Sequence, residues 1–372
     1  MSERQSTKIS IPHTFEDGVS IVGVLEQLEP AQFAVGRKIA LKRLALRLPL
    51  DSFRFDFRCA RCLSRFYASS VAFLMTERVA LIWRGAHESG GGWVHSGIGR
   101  DVEDLRVVVD HLTRHYGYEV DLLVGHSRGS VVAMHWLCTS EEGKRVGGIV
   151  NASGRYRMHR IFDNAHRYQT SFDERGYYDW EVVVARKRVI GRIYPADLER
   201  FASWDTSIVW DKFPQNTDML SVHGLTDKVV PPYVLAATPC RAISVLIAEF
   251  FRGRDILGFH LLFQRQCHVP SSVCLLRYDA MIYSRAVGGR DGGTHNLHYV
   301  DGADHNFTGV RLCSPRAGFG ASERLTPDSC PFLFCRNQQY DEVVDTILEW
   351  WDMHQRGQLR TGIWQTGIRG KL

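Results

Sequence analysis

Hydrophobic and polar positions along this chain switch repeatedly between a period of two and a period near 3.6, and each switch predicts a change of element. Residues 8–11 and 19–25 flank Glu16-Asp17-Gly18, which predicts a β-hairpin near the N-terminus. Phe53-Arg54-Phe55-Asp56-Phe57 alternates strictly and predicts a strand. Val102, Leu105, Val108, Val109 and Leu112 share one helical face, and Gly117 stops that helix. The apolar run 120–124 predicts a buried strand that leads through a turn into a helix beginning near Val131. Further strands are expected at 148–152, 219–224 and 297–300, with helices at 195–201 and 279–287. Val343, Val344, Ile347, Leu348 and Trp351 form the apolar face of a closing helix.

Strands alternating with helices predict an α/β fold: a mostly parallel central sheet with helices on both faces. The polar, aromatic stretch 155–211 reads as mostly helical and is expected to be a lid inserted between sheet strands. One junction breaks the pattern. Lys38-Ile39-Ala40-Leu41 looks like a strand, yet it runs directly into the helix-forming sequence 42–48. A loop of a few residues normally separates two such elements.

Composition sharpens this picture unevenly. With 372 residues, 44% hydrophobic and 23% charged, the chain has the make-up of a globular protein able to bury a large core. No apolar segment opens the sequence, and the best apolar stretches are interrupted by charges, so no signal peptide or membrane span is expected and a cytoplasmic location is. The net charge of +5 is not spread evenly. Segments 59–84, 233–277 and 310–339 together carry 13 Arg, no Lys and 5 acidic residues, which leaves the other 271 residues at −3. The same segments hold eight of the nine cysteines. The basic excess therefore belongs to three atypical insertions rather than to a binding face, and no nucleic-acid partner is expected.

The candidate chemistry lies in Gly125-His126-Ser127-Arg128-Gly129, between the 120–124 strand and the helix after it. A serine on so sharp a turn projects its hydroxyl away from the backbone, and the following helix directs free N–H groups and its positive dipole end at a forming anion. Acyl transfer at a serine also needs a base and a carboxylate to orient that base. In open parallel sheets such groups gather at the C-terminal strand edge. Asp227 and His305 each follow a predicted strand, in the order Ser…Asp…His. Asp301 and Asp304 compete with Asp227, but their place in the loop of His305 favours a loop-stabilising role.

The segments GHSRG, HGLTDKVVPP and GADHNF together resemble the α/β-hydrolase superfamily. SVHGLTDKVVPP, VDGADHNFTG and YDEVVDTILEWW are similar to small fungal cytosolic serine esterases related to the serine-aminopeptidase-like hydrolases. FDFR with the glycine-rich GAHESGG resembles the family's fourth strand and its loop. The resemblance covers most of the 271 ordinary residues and none of the atypical segments. It implies one α/β-hydrolase domain over 1–372, with Ser127 as nucleophile, His305 as general base and then acid, and Asp227 as the orienting carboxylate. The backbone N–H of Arg128 becomes one oxyanion donor. It implies a small-molecule ester, thioester or amide substrate, no cofactor and no metal, and it leaves the oligomeric state open.

The same resemblance exposes what is missing. The family's histidine-glycine loop, which supplies a second oxyanion donor, should follow the strand at 38–41, and no residues for it are present. A non-catalytic or defective hydrolase-like protein is therefore the alternative to an active esterase. Each atypical segment interrupts a family-like junction, so the three read as translated introns lying outside the fold, and the absent loop as a mis-assigned splice. If they are instead true insertions, Cys59-x-x-Cys62 with Cys267 and His268 is the only candidate zinc set, and it has no second CxxC pair to complete it.

Overall fold

A computed structural model describes residues 2–33, 44–45, 47–55, 57, 72–76, 89–91, 94–184, 187–232, 279–307 and 338–366. The N-terminal hairpin pairs β1 (Ser2–Pro12) with β2 (Ser20–Phe33), and Gly18 takes a φ of 73° at the turn. Next in the chain are β3 (Ser52–Phe55), β4 (Ala72–Thr76), helix α1 (Ile98–Tyr116), β5 (Glu119–His126) and helix α2 (Arg128–Thr139). β6 (Gly148–Ala152) precedes segment 155–211, and β9 (Asp218–Gly224) follows it. Helix α5 (Asp279–Gly288), β10 (His295–Val300), helix α6 (Gln338–Gln355) and the short β11 (Gly362–Ile363) complete the order.

Among the described residues nine strands form one sheet in the order β1-β2-β3-β4-β5-β6-β9-β10-β11. From β5 onward every pairing is parallel, and from β1 to β5 every pairing is antiparallel. The alternation means that only β2 and β4 oppose the common direction, which gives the mostly parallel sheet expected. Parallel neighbours need crossovers. Here α2 links β5 to β6, and α5 precedes β10.

One expectation is overturned. Segment 59–84 does not lie wholly outside the fold, because Ala72–Thr76 pairs with β3 on one side and with the elbow strand β5 on the other. Its run Ala-Phe-Leu-Met-Thr is apolar enough to sit between two strands whatever its origin. It runs antiparallel to β5, so its beginning rather than its end lies at the elbow's edge of the sheet. Residues 233–277 and 310–337 lie outside the described residues, as do 38–41 and the cysteines of the candidate zinc set.

The core explains why the sheet is so apolar. Leu122, Leu123, Ile149, Val150, Met219, Leu220 and Val222 are buried along the three central strands. Helix α6 packs on β6, β9 and β10, with Trp350 and Trp351 fully buried. A Cβ on Gly148 would stand 2.8 Å from the Trp351 ring, so the first residue of β6 must be glycine for α6 to seat. Helix α1 ends as predicted, with Gly117 left-handed at φ 71°. Leu44, Ala45 and Leu48 are buried, and the Leu48 amide donates to the Leu44 carbonyl in a helical turn.

Segment 155–211, expected as a helical lid, is not only helical. Between α3 (His166–Arg175) and α4 (Pro195–Ala202) it carries an antiparallel hairpin of β7 (Tyr178–Val184) and β8 (Lys187–Ile193). The β-branched runs flanking Ala185-Arg186 favour strand over helix. Tyr168, Phe172, Tyr178 and Trp180 pack with Ile161, Ile193 and Leu198 into a small core of the lid's own. Trp204 packs instead against the main core. Ser96 donates to Asp197 at 2.9 Å and ties the lid helix α4 to the segment before α1.

Candidate active site

Residues 125–129 form a strained turn between β5 and α2. Ser127 takes φ 53° and ψ −123°, a region that side-chain-bearing residues rarely enter. Its amide donates to the Ala152 carbonyl at 2.8 Å, so the end of β6 holds the strain in place. Gly125 is obligatory, since a Cβ there would lie 2.6 Å from the Ser130 Cα. The outcome is a hydroxyl lifted off the C-terminal edge of the sheet, as a nucleophile elbow requires.

Two loops bring partners to that hydroxyl. After β9 the chain turns through 225–230, and the Asp227 Oδ1 accepts the amides of Val229 at 2.8 Å and Val230 at 2.9 Å. After β10 the loop 301–307 closes with Phe307 left-handed at φ 56° and its amide on the Asp304 carbonyl. The two loops interlock: the Thr226 amide donates to the Ala303 carbonyl at 2.9 Å, and the Leu225 amide to the Val300 carbonyl at 3.0 Å. His305 Nδ1 then lies 2.7 Å from Asp227 Oδ2, and its Nε2 lies 2.8 Å from Ser127 Oγ. The three residues are 6%, 3% and 2% exposed for Ser127, Asp227 and His305.

Burial alone would raise the Asp227 pKa. Hydrogen bonds from His223 and His305, with the electrostatic attraction of the two rings, outweigh it and hold the carboxyl well below the usual carboxylate range. An ionised Asp227 fixes the His305 proton on Nδ1, so Nε2 is free to accept the serine proton.

This is the arrangement of an elbow serine at the end of a central parallel strand, with an acid and a histidine following two later strands. The fold is that of the α/β hydrolases. Arg128 opens helix α2 directly after Ser127, where the first helical N–H groups have no intrahelical acceptor. Its guanidinium is committed elsewhere: Nε donates to Asp101 Oδ2 at 2.6 Å, and a second nitrogen donates to the His95 carbonyl.

Among solved structures, a soluble variant of monoglyceride lipase from Saccharomyces cerevisiae is 11% identical, at a TM-score of 0.46, over 95% of both chains. The mouse α/β hydrolase domain-containing protein 10 is 11% identical, at a TM-score of 0.44, over 93% of this chain and 98% of that one. Est1E from Butyrivibrio proteoclasticus is 11% identical, at a TM-score of 0.43, over 94% and 99%. No protein-family model and no curated protein sequence matches the chain. The fold rests on strand order and elbow geometry, not on these likenesses.

Asp301 and Asp304 do not reach the imidazole's Nδ1. Asp304 Oδ1 accepts the Asn306 amide within its own loop, and the Asp301 carbonyl accepts from Gln339. Two residues that sequence reasoning passed over do matter. His126 donates Nε2–H to the His305 carbonyl at 2.7 Å, and His223 stands 3.3 Å from Asp227 Oδ2. Both sit beside a glycine inside the quoted motifs, and that adjacency was the available signal. No cluster among the described residues has the make-up of a metal site, and no described helix is long and apolar enough to cross a membrane.

Proposed function

We propose that the chain is a serine hydrolase of small carboxylic esters, thioesters or amides, working through an acyl-Ser127 intermediate. The observation that carries the reading is the contact of a strained, buried Ser127 Oγ with His305 Nε2 at 2.8 Å. In the first half-reaction His305 Nε2 takes the Ser127 proton as Oγ bonds to the substrate carbonyl carbon. The oxyanion so formed is met by the Arg128 N–H and the positive end of α2. Collapse breaks the bond to the leaving group, which departs with the proton held on His305. In the second half a water gives its proton to His305 and attacks the acyl carbon, and the carboxylic acid leaves as Oγ recovers its proton. Water is the only co-reactant.

The absent loop after residue 41 takes away one oxyanion donor, which typically costs roughly 100- to 1000-fold in rate. Turnover by the chain as written is accordingly slow, and restoring a histidine-glycine loop should raise it by about that factor. The alternative, a hydrolase-like protein without turnover, is favoured by that same junction. Hydrolysis of a short activated ester separates the two. Steady turnover that falls by about 10⁴-fold in Asp227→Asn supports the hydrolase, whereas no turnover with or without the loop supports the non-catalytic protein.

A further inference from the structure

His223 lies at the end of β9, opposite Tyr299 of β10 and one residue before Gly224. It is buried, and its Nε2 is 2.7 Å from the Val230 carbonyl oxygen. A carbonyl can only accept, so Nε2 carries the proton and the tautomer is set. The same N–H stands 3.3 Å from Asp227 Oδ2, the oxygen that holds His305. Other polar groups of the 227–230 turn are engaged as well. The amides of Val229 and Val230 point inward to Asp227 Oδ1, and the Val230 carbonyl points to His223. The Val229 carbonyl accepts from the buried Arg155 at 2.5 Å.

We infer that His223 is a positioning residue: its Nε2–H clamps the Val230 carbonyl and flanks Asp227 Oδ2, and so fixes the carboxylate under His305. It touches neither Ser127 nor any atom that reacts, and it acts through Asp227. The inference rests on the hydrolase reading above, in which Asp227 orients His305. A clamp with no such role would be a satisfied core histidine, whose loss lowers stability and leaves catalysis per folded molecule unchanged.

The test compares His223→Leu, which keeps the bulk and loses the donor, with His223→Gln, whose amide nitrogen reaches nearly as far as Nε2. Positioning predicts that His223→Leu lowers kcat on a short activated ester by about 10- to 100-fold, as a misplacement on the order of 1 Å does, with KM little changed. His223→Gln should return kcat to within a few fold. A readout without turnover is the low-field proton resonance of the His305–Asp227 hydrogen bond, which should shift or broaden in His223→Leu and persist in His223→Gln. If His223→Leu does not fold, His223→Asn, whose amide stops short of the Val230 carbonyl, takes its place. A folded Leu or Asn variant with wild-type kcat and an unmoved resonance overturns the inference. Failure of an active-site probe to label wild-type Ser127 would sink the hydrolase reading instead, and the resonance would still report on the clamp.

Discussion

Single atoms decide whether the serine, the histidine and the aspartate meet. A Cβ on Gly224 would lie 2.5 Å from the carbonyl oxygens of both Ala303 and Asp304, the backbone of the loop that carries His305. Gly224→Ala therefore has to push that loop away from Ser127. It is expected to lower ester turnover by about 100-fold and to cost about 1–3 kcal/mol of stability, measured on the same preparation by kinetics and by denaturant unfolding. At this scale the sequence was legible where the chemistry is local. The turn that carries Ser127 could be read because its glycines and the start of its helix lie within a few residues. Asp227 could be preferred to Asp301 and Asp304 because a carboxylate in the histidine's own loop turns back on that loop, as Asp304 does with the Asn306 amide. The part played by His223 could not be read, since its acceptor is a backbone carbonyl seven residues on and no side-chain pattern marks it.

Whole elements were legible in proportion to how much of their stability is local. Helix α1 shows its apolar face, its left-handed Gly117 cap and an acidic first turn at Asp101, and its bounds follow from these. The hairpin of β7 and β8 escapes the pattern of the main fold because it stands between two helices and its strands pair with each other instead of joining the central sheet. β4 was missed for a different reason. Its place depends on a vacancy between β3 and β5 that no local pattern announces. The closing helix α6 makes the clearest energetic statement. Trp350 and Trp351 are fully buried, and Trp350 Nε1 donates to Asn296 Oδ1 at 3.0 Å. Either Trp→Ala change is expected to cost about 3–5 kcal/mol, read as a fall in the denaturant midpoint without loss of cooperativity.

For the molecule as a whole, buried histidines set the acid side of the stability curve. Burial, with a contribution from Arg290, lowers the His295 pKa from 6.5 to about 3. Burial, with Arg128 nearby, lowers that of His95 to about 4. For both groups the unfolded chain takes up its proton first, so between about pH 6.5 and pH 3–4 the unfolded state binds more protons than the folded one. Their contribution is thus fully present above pH 6.5 and is lost progressively as pH falls through that window. Tm should decline over this range, and His295→Gln should flatten the decline. A pH-independent Tm between 6.5 and 4 would contradict the burial of both rings as neutral groups. The paired carboxylate of Asp227 acts lower down. Its depressed pKa contributes stability above about pH 4 that disappears only in stronger acid.

These scales meet at one oxygen atom. Covalent capture by a fluorophosphonate, followed by mass analysis of the modified peptide, tests most directly whether Ser127 is a nucleophile activated by His305. The expected result is a single adduct on Ser127 in the wild-type chain, none in Ser127→Ala, and labelling slowed by at least about 10³-fold in His305→Ala. Equal labelling of all three proteins, or an adduct on another residue, would contradict it.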